Sequence, residues 1–187
     1  AIMPSDRPYM KVSVWETYKK RIPWLLFLML SATFTSTILT HFQDALAVVP
    51  ALTVFIPMLM GTGGNAGGQT SVTIIRGLSL NEIEYEDMPA VIWKEIRVAA
   101  CCGATLSVVC FFKVIFIDRK DPMTGLVVSV AILVTVCVAK LVGCILPVLA
   151  KRVGFDPAVM ASPFITTIVD AVSLLIYFAT ASIIFGL

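Results

Sequence analysis

The chain has 187 residues, of which 58% are hydrophobic and 14% charged, and its mean hydropathy is +0.94. A soluble domain carries about 25% charged residues, and several apolar runs here exceed the roughly 18 residues that cross a bilayer. This composition excludes a soluble globular domain and predicts an integral membrane protein. The formal net charge of +2 gives no indication of a nucleic-acid partner.

Residues 1–22 form a polar, basic segment ahead of the first apolar run. The stretch "VSVWETYKKRIPW" fits either a short amphipathic helix, with its aromatic side chains at headgroup level, or a solvated approach to the membrane. The first span is predicted over 23–40. Pro23 is expected at the start of this helix, where its missing N–H costs nothing.

Four further spans are predicted over 45–75, 98–117, 123–150 and 157–187, which gives an all-α membrane domain of five transmembrane helices over 23–187. At the rise of an α-helix the second, fourth and fifth are roughly 40–46 Å long. They exceed a hydrocarbon core of roughly 30 Å and must tilt, kink or protrude. The loop 77–97 is predicted to be a cytoplasmic, helical interfacial segment.

The distribution of Lys and Arg predicts the orientation in the membrane. With the N-terminus inside, ten of these residues face the cytoplasm and three face the outside. Cytoplasmic loops carry such an excess of positive charge. We therefore expect a multi-pass protein of the inner (plasma) membrane with a cytoplasmic N-terminus and, given five spans, an external C-terminus.

Three polar features from three different spans fall at a similar depth. Counted from the nearest charged or proline end, Asn65 and Lys140 lie roughly 16 Å deep and Asp170 roughly 20 Å deep. Ionisable and amide groups inside a span are costly and mark functional sites by default. Their convergence predicts a polar site near the middle of the bilayer.

Asp170 is the only acid within any predicted span. Ser162, Thr166 and Asp170 are spaced i, i+4 and i+8 and therefore share one helix face. An oxygen-lined stripe with a single carboxylate suits a hard cation that keeps its waters, and Mg²⁺ does so more than other common ions. The alternative is a salt bridge from Asp170 to Lys140, with the hydroxyls bonded back to their own helix.

The string "GTGGNAGGQT", residues 61–70, is the second unusual feature. Its two overlapping GxxxG spacings let another backbone approach closely, and a glycine-rich segment can also turn carbonyls towards an ion where it lines protein or water. Asn65 and Gln69 share one face of it. The alternative is a pure packing face with these amides as interhelical hydrogen bonds. The helix-packing candidates are Gly63, Gly64, Gly67 and Gly68.

Other chemistries find little support in the sequence. The five cysteines all lie in apolar runs without a CxxC motif, which is typical of small buried hydrophobic residues rather than of disulfides or a zinc site. The string "GTGGNAGG" lacks the Lys of a phosphate-binding loop, and the chain has no Ser-His-Asp or Cys-His set. We therefore predict that the protein is not an enzyme.

Four strings carry a resemblance to a known family: "RIPWLLFLML", "PMLMGTGGNAGGQTSVTIIRGL", "KEIRVA" and "LVGCILPVLAKRVGFDPAVMASPFITTIVDAVSLLIYF". These strings, which follow one another in this order along the chain, resemble the transmembrane domain of the MgtE family of magnesium channels. The likeness covers about residues 21–185. It implies a homodimer in the lipid bilayer, with a pore on the dimer axis lined by spans two and five, that passes Mg²⁺ into the cytoplasm passively.

The resemblance also implies a set of metal-binding positions. The acidic residue that holds hydrated Mg²⁺, the transported ion, matches Asp170. Backbone carbonyls, amides and hydroxyls help, at positions that match Gly61, Asn65, Ser162 and Thr166. Full-length members carry a cytoplasmic N-terminal domain and a CBS pair as regulatory partners. About 22 residues precede the first predicted span here, so closure of the pore by such domains is not assumed.

The chain departs from the family pattern at three positions. Family members have Asn where this sequence has Ser162 and Lys140, and a larger polar residue in place of Gly68. A cation at mid-depth beside a Mg²⁺ path should repel the ion unless it faces away or pairs elsewhere.

Two other functions stay open at this stage. A coupled secondary transporter of a small organic solute would use the same broken-helix design. A non-transporting membrane scaffold would rest on GxxxG packing alone.

Overall fold

The computed structural model describes residues 10, 12–43, 47 and 49–186, with the backbone alone for 158–163. Residues 1–9 and 11 of the predicted N-terminal segment, the start of the predicted second span and the Ser162 side chain lie outside this description. All regular secondary structure within it is helical, which confirms the all-α prediction. Its five long helices are α1 (Val14–His41), α2 (Ile56–Ser79), α3 (Met88–Phe112), α4 (Pro122–Arg152) and α5 (Pro157–Phe185).

Short segments of other helical types adjoin two of these helices. A 3₁₀-helix over Pro50–Phe55 leads into α2, and another over Tyr85–Asp87 leads into α3. A π-helical turn over Lys113–Ile117 continues α3. Pro50–Phe55 is tied to α5 by the buried Tyr177 hydroxyl, which donates a hydrogen bond to the Leu52 carbonyl at 2.9 Å. This bond fixes the entry of the chain into α2.

Four segments of the described chain are long and apolar enough to cross a membrane: Val14–His41, Tyr85–Ile117, Pro122–Arg152 and Phe164–Phe185. The protein is therefore a multi-pass membrane protein. α2 is not among the four, because glycine, amide and hydroxyl residues occupy its middle. A crossing by α2, and with it the five-span topology, stays a prediction.

α1 begins well before the predicted start of the first span. The Ser13 hydroxyl accepts a hydrogen bond from the Glu16 backbone N–H at 3.2 Å and caps the helix. From Val14 the helix runs unbroken to His41, so that Pro23 lies inside it. The prediction of Pro23 at a helix start was wrong, because the cap at Ser13 and not the edge of the apolar run sets the N-terminus.

The interfacial segment predicted over 77–97 is also different in the structure. Its second half belongs to α3, which begins at Met88 with a proline in its first turn and continues into the apolar run. Residues 88–97 are therefore the first turns of the same helix and no separate segment. As a result Glu95 has a fixed position on a helix that packs against α4.

α4 is the central helix of the bundle and contacts α2, α3 and α5. Much of its inner face is apolar and enclosed, with Val127, Val128, Ala131 and Val136 at 0% exposure, although it also buries Lys140. α1 is peripheral and packs mainly on α5, where the rings of Phe27 and Phe164 are in contact, with centroids 5.3 Å apart and planes inclined at 43°. The arrangement leaves one face of α2 and of α5 uncovered within a single chain.

Candidate ion-binding site

A cavity of about 1070 Å³ opens between α2 and α5. Its α2 wall is a stripe of residues spaced three and four apart, the spacing that places side chains on one helix face. From α5 it receives one hydroxyl and one carboxylate. The lining residues are Met60, Gly61, Gly64, Asn65, Gly68, Gln69, Val72 and Thr73 from α2, with Thr166 and Asp170 from α5.

Asp170 is half-buried and faces this cavity from the middle of α5. Thr166 lies one turn earlier on the same face and is exposed. Ser162 follows at the next turn of the backbone, but its side chain is outside the description. The carboxylate of Asp170 takes part in neither of the ion pairs within the described chain, which are Lys20–Glu16 and Lys113–Asp118.

The amides of Asn65 and Gln69 are exposed on the opposite wall of the cavity. Between and beside them Gly61, Gly64 and Gly68 present bare helix with no side chain. The nearest atom to a Cβ built at Gly64 is the Thr166 methyl at 3.8 Å, and nothing lies within 4 Å at Gly61 or Gly68. The glycines therefore widen the cavity on the side that faces Asp170.

Two other glycines of the same string have no such space. A Cβ at Gly63 would lie 2.8 Å from side-chain atoms of Thr135 and Val169, and a Cβ at Gly67 would lie 2.9 Å from the Ala139 carbonyl oxygen. On α4, a Cβ at Gly143 would overlap the carbonyl oxygen of Gly67. The backbones of α2 and α4 are thus in direct contact, and the string divides into glycines of the interhelical contact and glycines of the cavity.

The side chains of the cavity present mainly oxygen donors, which hard cations prefer. One carboxylate, two amides and two hydroxyls offer oxygen atoms at a wide opening, and Mg²⁺ usually keeps several waters and few carboxylate ligands. The described residues hold no group of three or more His, Cys, Asp or Glu that could enclose a dehydrated metal ion.

Lys140 does not pair with Asp170. Its ammonium is buried, with 6% of the residue exposed, and donates a hydrogen bond to the Thr70 hydroxyl at 3.2 Å. Thr70 in turn donates to a carboxylate oxygen of Glu95 at 3.1 Å. The alternative of a Lys140–Asp170 salt bridge was wrong, because α4 turns this lysine towards α2 and α3 and away from the carboxylate on α5.

Thr70 and Glu95 are residues that the sequence analysis missed. Glu95 was placed in a loop, since the third span was predicted to begin only after it. The available signal was Lys140 itself, because a buried ammonium requires a counter-charge or acceptors. An acid just outside a predicted span is the natural candidate.

Comparison with known proteins shows the family of the chain. The model of a divalent cation transporter family, MgtE, matches residues 56–180, from the start of α2 into the last turns of α5. A protein named magnesium transporter MgtE from Thermus thermophilus is 36% identical over 184 residues, 98% of this chain and 40% of the relative. A Bacillus subtilis protein of the same name is 36% identical over 163 residues, 87% of this chain and 36% of the relative.

A third relative of that name, from Enterococcus faecalis, is 34% identical over 163 residues. The chain spans 40% or less of the length of these relatives. The match nevertheless includes both walls of the cavity, since residues 56–180 contain all of α2 and the Asp170 turn of α5. The family model covers well over half of the sequence, and the chain belongs to the MgtE family of divalent cation transporters.

Proposed function

We propose that this chain forms the conducting part of a passive Mg²⁺ channel that admits the ion to the cytoplasm. The observation that carries the proposal is the cavity in which Asp170 on α5 faces the amides and bare glycines of α2. The three relatives described above are named as magnesium transporters. The metal-binding positions of the proposal are Asp170, Asn65, Gly61, Ser162 and Thr166.

The driving force for entry is the membrane potential. A divalent cation gains roughly 4.6 kcal/mol for each 100 mV of inside-negative potential, so that no nucleotide site is needed. Selectivity would come from hydrogen bonds between the water shell of Mg²⁺ and the oxygen atoms of the cavity. The open width at Gly61, Gly64 and Gly68 leaves room for these waters.

A second copy of the chain would complete the site. In one chain the cavity is open on the side away from the bundle core and holds a single carboxylate. Pairing two copies about an axis along α2 and α5 would enclose the cavity and bring two Asp170 carboxylates to one ion. It would also turn the polar face of α2 towards water and away from lipid, which accounts for the low hydropathy of this helix.

The proposed topology places the N-terminus in the cytoplasm and the C-terminus outside, with all five helices crossing the inner membrane. The basic residues at the ends of α2 and α4, among them Arg76, Lys151 and Arg152, would then lie on the cytoplasmic side. This agrees with the excess of positive charge on cytoplasmic loops.

The experiment that tests the function is Mg²⁺ uptake into proteoliposomes under an inside-negative potential. We expect uptake that increases with the potential and needs no proton gradient. Uptake of an organic solute that is coupled to proton movement and needs no divalent cation would instead indicate a coupled transporter. Absence of Mg²⁺ uptake at any potential would refute the proposal.

Cross-linking tests the dimer. Val72 lines the cavity and is 69% exposed, so that Val72→Cys is expected to form a disulfide between two chains across the axis. Val109 on α3 is 60% exposed but lies away from the cavity, and Val109→Cys is the matched control. Both changes are made with Cys101 and Cys102 replaced by Ser, and the product is a covalent dimer on a non-reducing gel. Equal cross-linking at the two positions, or none at Val72, would contradict the proposed axis.

A further inference from the structure

Lys140 belongs to a line of hydrogen bonds that crosses three helices. The ammonium on α4 donates to the Thr70 hydroxyl on α2 at 3.2 Å, and this hydroxyl donates to Glu95 on α3 at 3.1 Å. Lys140 and Thr70 are 6% and 3% exposed. A hydroxyl has one proton and two lone pairs, so it can accept from a cation and donate to an anion at the same time. The bonding pattern therefore suits a positive group at one end and a negative group at the other.

Only the Thr70 hydroxyl separates the ammonium of Lys140 from the carboxylate of Glu95. The fields of these opposite charges therefore largely cancel at points farther away. Within the described residues no direct ion pair joins Lys140 to Glu95. Lys140 is buried and Glu95 is half-buried, and removal of one partner leaves the charge of the other uncompensated. Such a charge acts over a longer range inside a protein than in water, because the interior screens it weakly.

The line adjoins the wall of the ion cavity. Lys140 lines a second cavity, of about 570 Å³, between α2, α3 and α4. Asn65 and Gln69 line this cavity as well as the larger one that contains Asp170. The two spaces therefore meet at the same two side chains of α2, with Lys140 beside one space and Asp170 beside the other.

We propose that Glu95 and Lys140 are electrostatic positioning residues that set the affinity of the cavity for a divalent cation. Glu95 neutralises Lys140 through Thr70 and so removes the repulsion that a mid-depth ammonium would exert on Mg²⁺. Neither residue touches the ion. The inference rests on the proposed Mg²⁺ conduction. It adds two residues outside the conducting cavity that adjust the affinity of the cavity for the ion.

A purely structural tie between α2, α3 and α4 would behave differently from a charge pair. If the line only held the helices together, loss of either end would weaken the same contact, and both single variants would shift function in the same direction. If the line balances charge, loss of Glu95 adds a net positive charge near the cavity and loss of Lys140 adds a net negative one. The sign of the effect therefore separates the two explanations.

The test measures the Mg²⁺ concentration that gives half-maximal flux into proteoliposomes with the full chain. Glu95→Gln is expected to raise this concentration about tenfold and Lys140→Gln to lower it by a similar factor, since a unit charge acts on a divalent ion across a weakly screening interior. The double variant, which is neutral again, is expected to return towards the parental value. Lys140→Arg keeps the positive charge, so its half-saturating Mg²⁺ concentration is expected to stay close to the parental value, unlike that of Lys140→Gln.

The outcomes distinguish this inference from the proposed function. If the parent passes Mg²⁺ and Asp170→Asn abolishes the flux, the conduction proposal stands whatever the Glu95 and Lys140 variants show. In that case shifts of the two single variants in the same direction, or no shift in either, would overturn the charge-pair inference alone. If Lys140→Gln does not fold, Glu95→Gln decides, because an unchanged or lowered half-saturating concentration contradicts the inference.

Discussion

Replacement of Asp170 by Asn is expected to abolish Mg²⁺ flux, with a loss of at least about a hundredfold, while the protein remains folded. The change keeps the shape of the side chain and removes its charge. Hydrogen bonds to a charged group contribute about 1.5–3 kcal/mol each, and two copies of the residue facing one ion would lose at least about a hundredfold in binding. The fold should tolerate the change, because Asp170 is only half-buried and enters no ion pair among the described residues.

The matched control is Asp156→Asn. It makes the same chemical change just before the first residue of α5, at an exposed position outside the cavity. Flux through this variant is expected to stay within about twofold of the parent, since an exposed charge is screened by solvent. Parental flux in Asp170→Asn, or an equal loss in both variants, would mean that the carboxylate on α5 does not lie on the ion path.

The convergence of Asn65 and Asp170 could be predicted from the sequence. Helical periodicity and the distance from charged ends are local quantities, and they place both residues at mid-depth without knowledge of the packing. In the structure both line the cavity between α2 and α5. Which of the four GxxxG glycines lie at the helix contact could not be predicted in this way, because the spacing is the same for Gly63/Gly67 and for Gly64/Gly68.

The ends of the helices were predicted less well, and for one physical reason. Apolar runs indicate where a chain contacts lipid, but a helix ends where its backbone hydrogen bonds are capped. The cap at Ser13 and the start at Met88 both lie in polar sequence, outside the apolar runs. The short Thr70 link between Lys140 and Glu95 was missed for the same reason, since the polar first turns of α3 had been assigned to a loop.

Gly67→Ala is expected to lower the stability of the folded protein by about 1–3 kcal/mol, the usual cost of overpacking a close contact. The added Cβ would lie 2.9 Å from the Ala139 carbonyl oxygen of α4. This atom belongs to a helix backbone that Gly143 holds in contact with Gly67, so it cannot turn aside as a flexible side chain would. The measurement is the thermal unfolding of the detergent-solubilised protein.

Gly68→Ala is the matched control, because it is the same change one residue further along the same helix. Nothing lies within 4 Å of a Cβ at Gly68, and alanine is preferred to glycine in a helix by about 1 kcal/mol. This variant should therefore be as stable as the parent or more stable, while its methyl group narrows the cavity beside Gln69. Separate effects, on stability at Gly67 and on Mg²⁺ flux at Gly68, would show that neighbouring glycines serve the helix contact and the ion path. Equal destabilisation at both positions would instead require a close contact at Gly68 that a single chain does not contain, and the surface of a second copy against α2 would be the place to look for it.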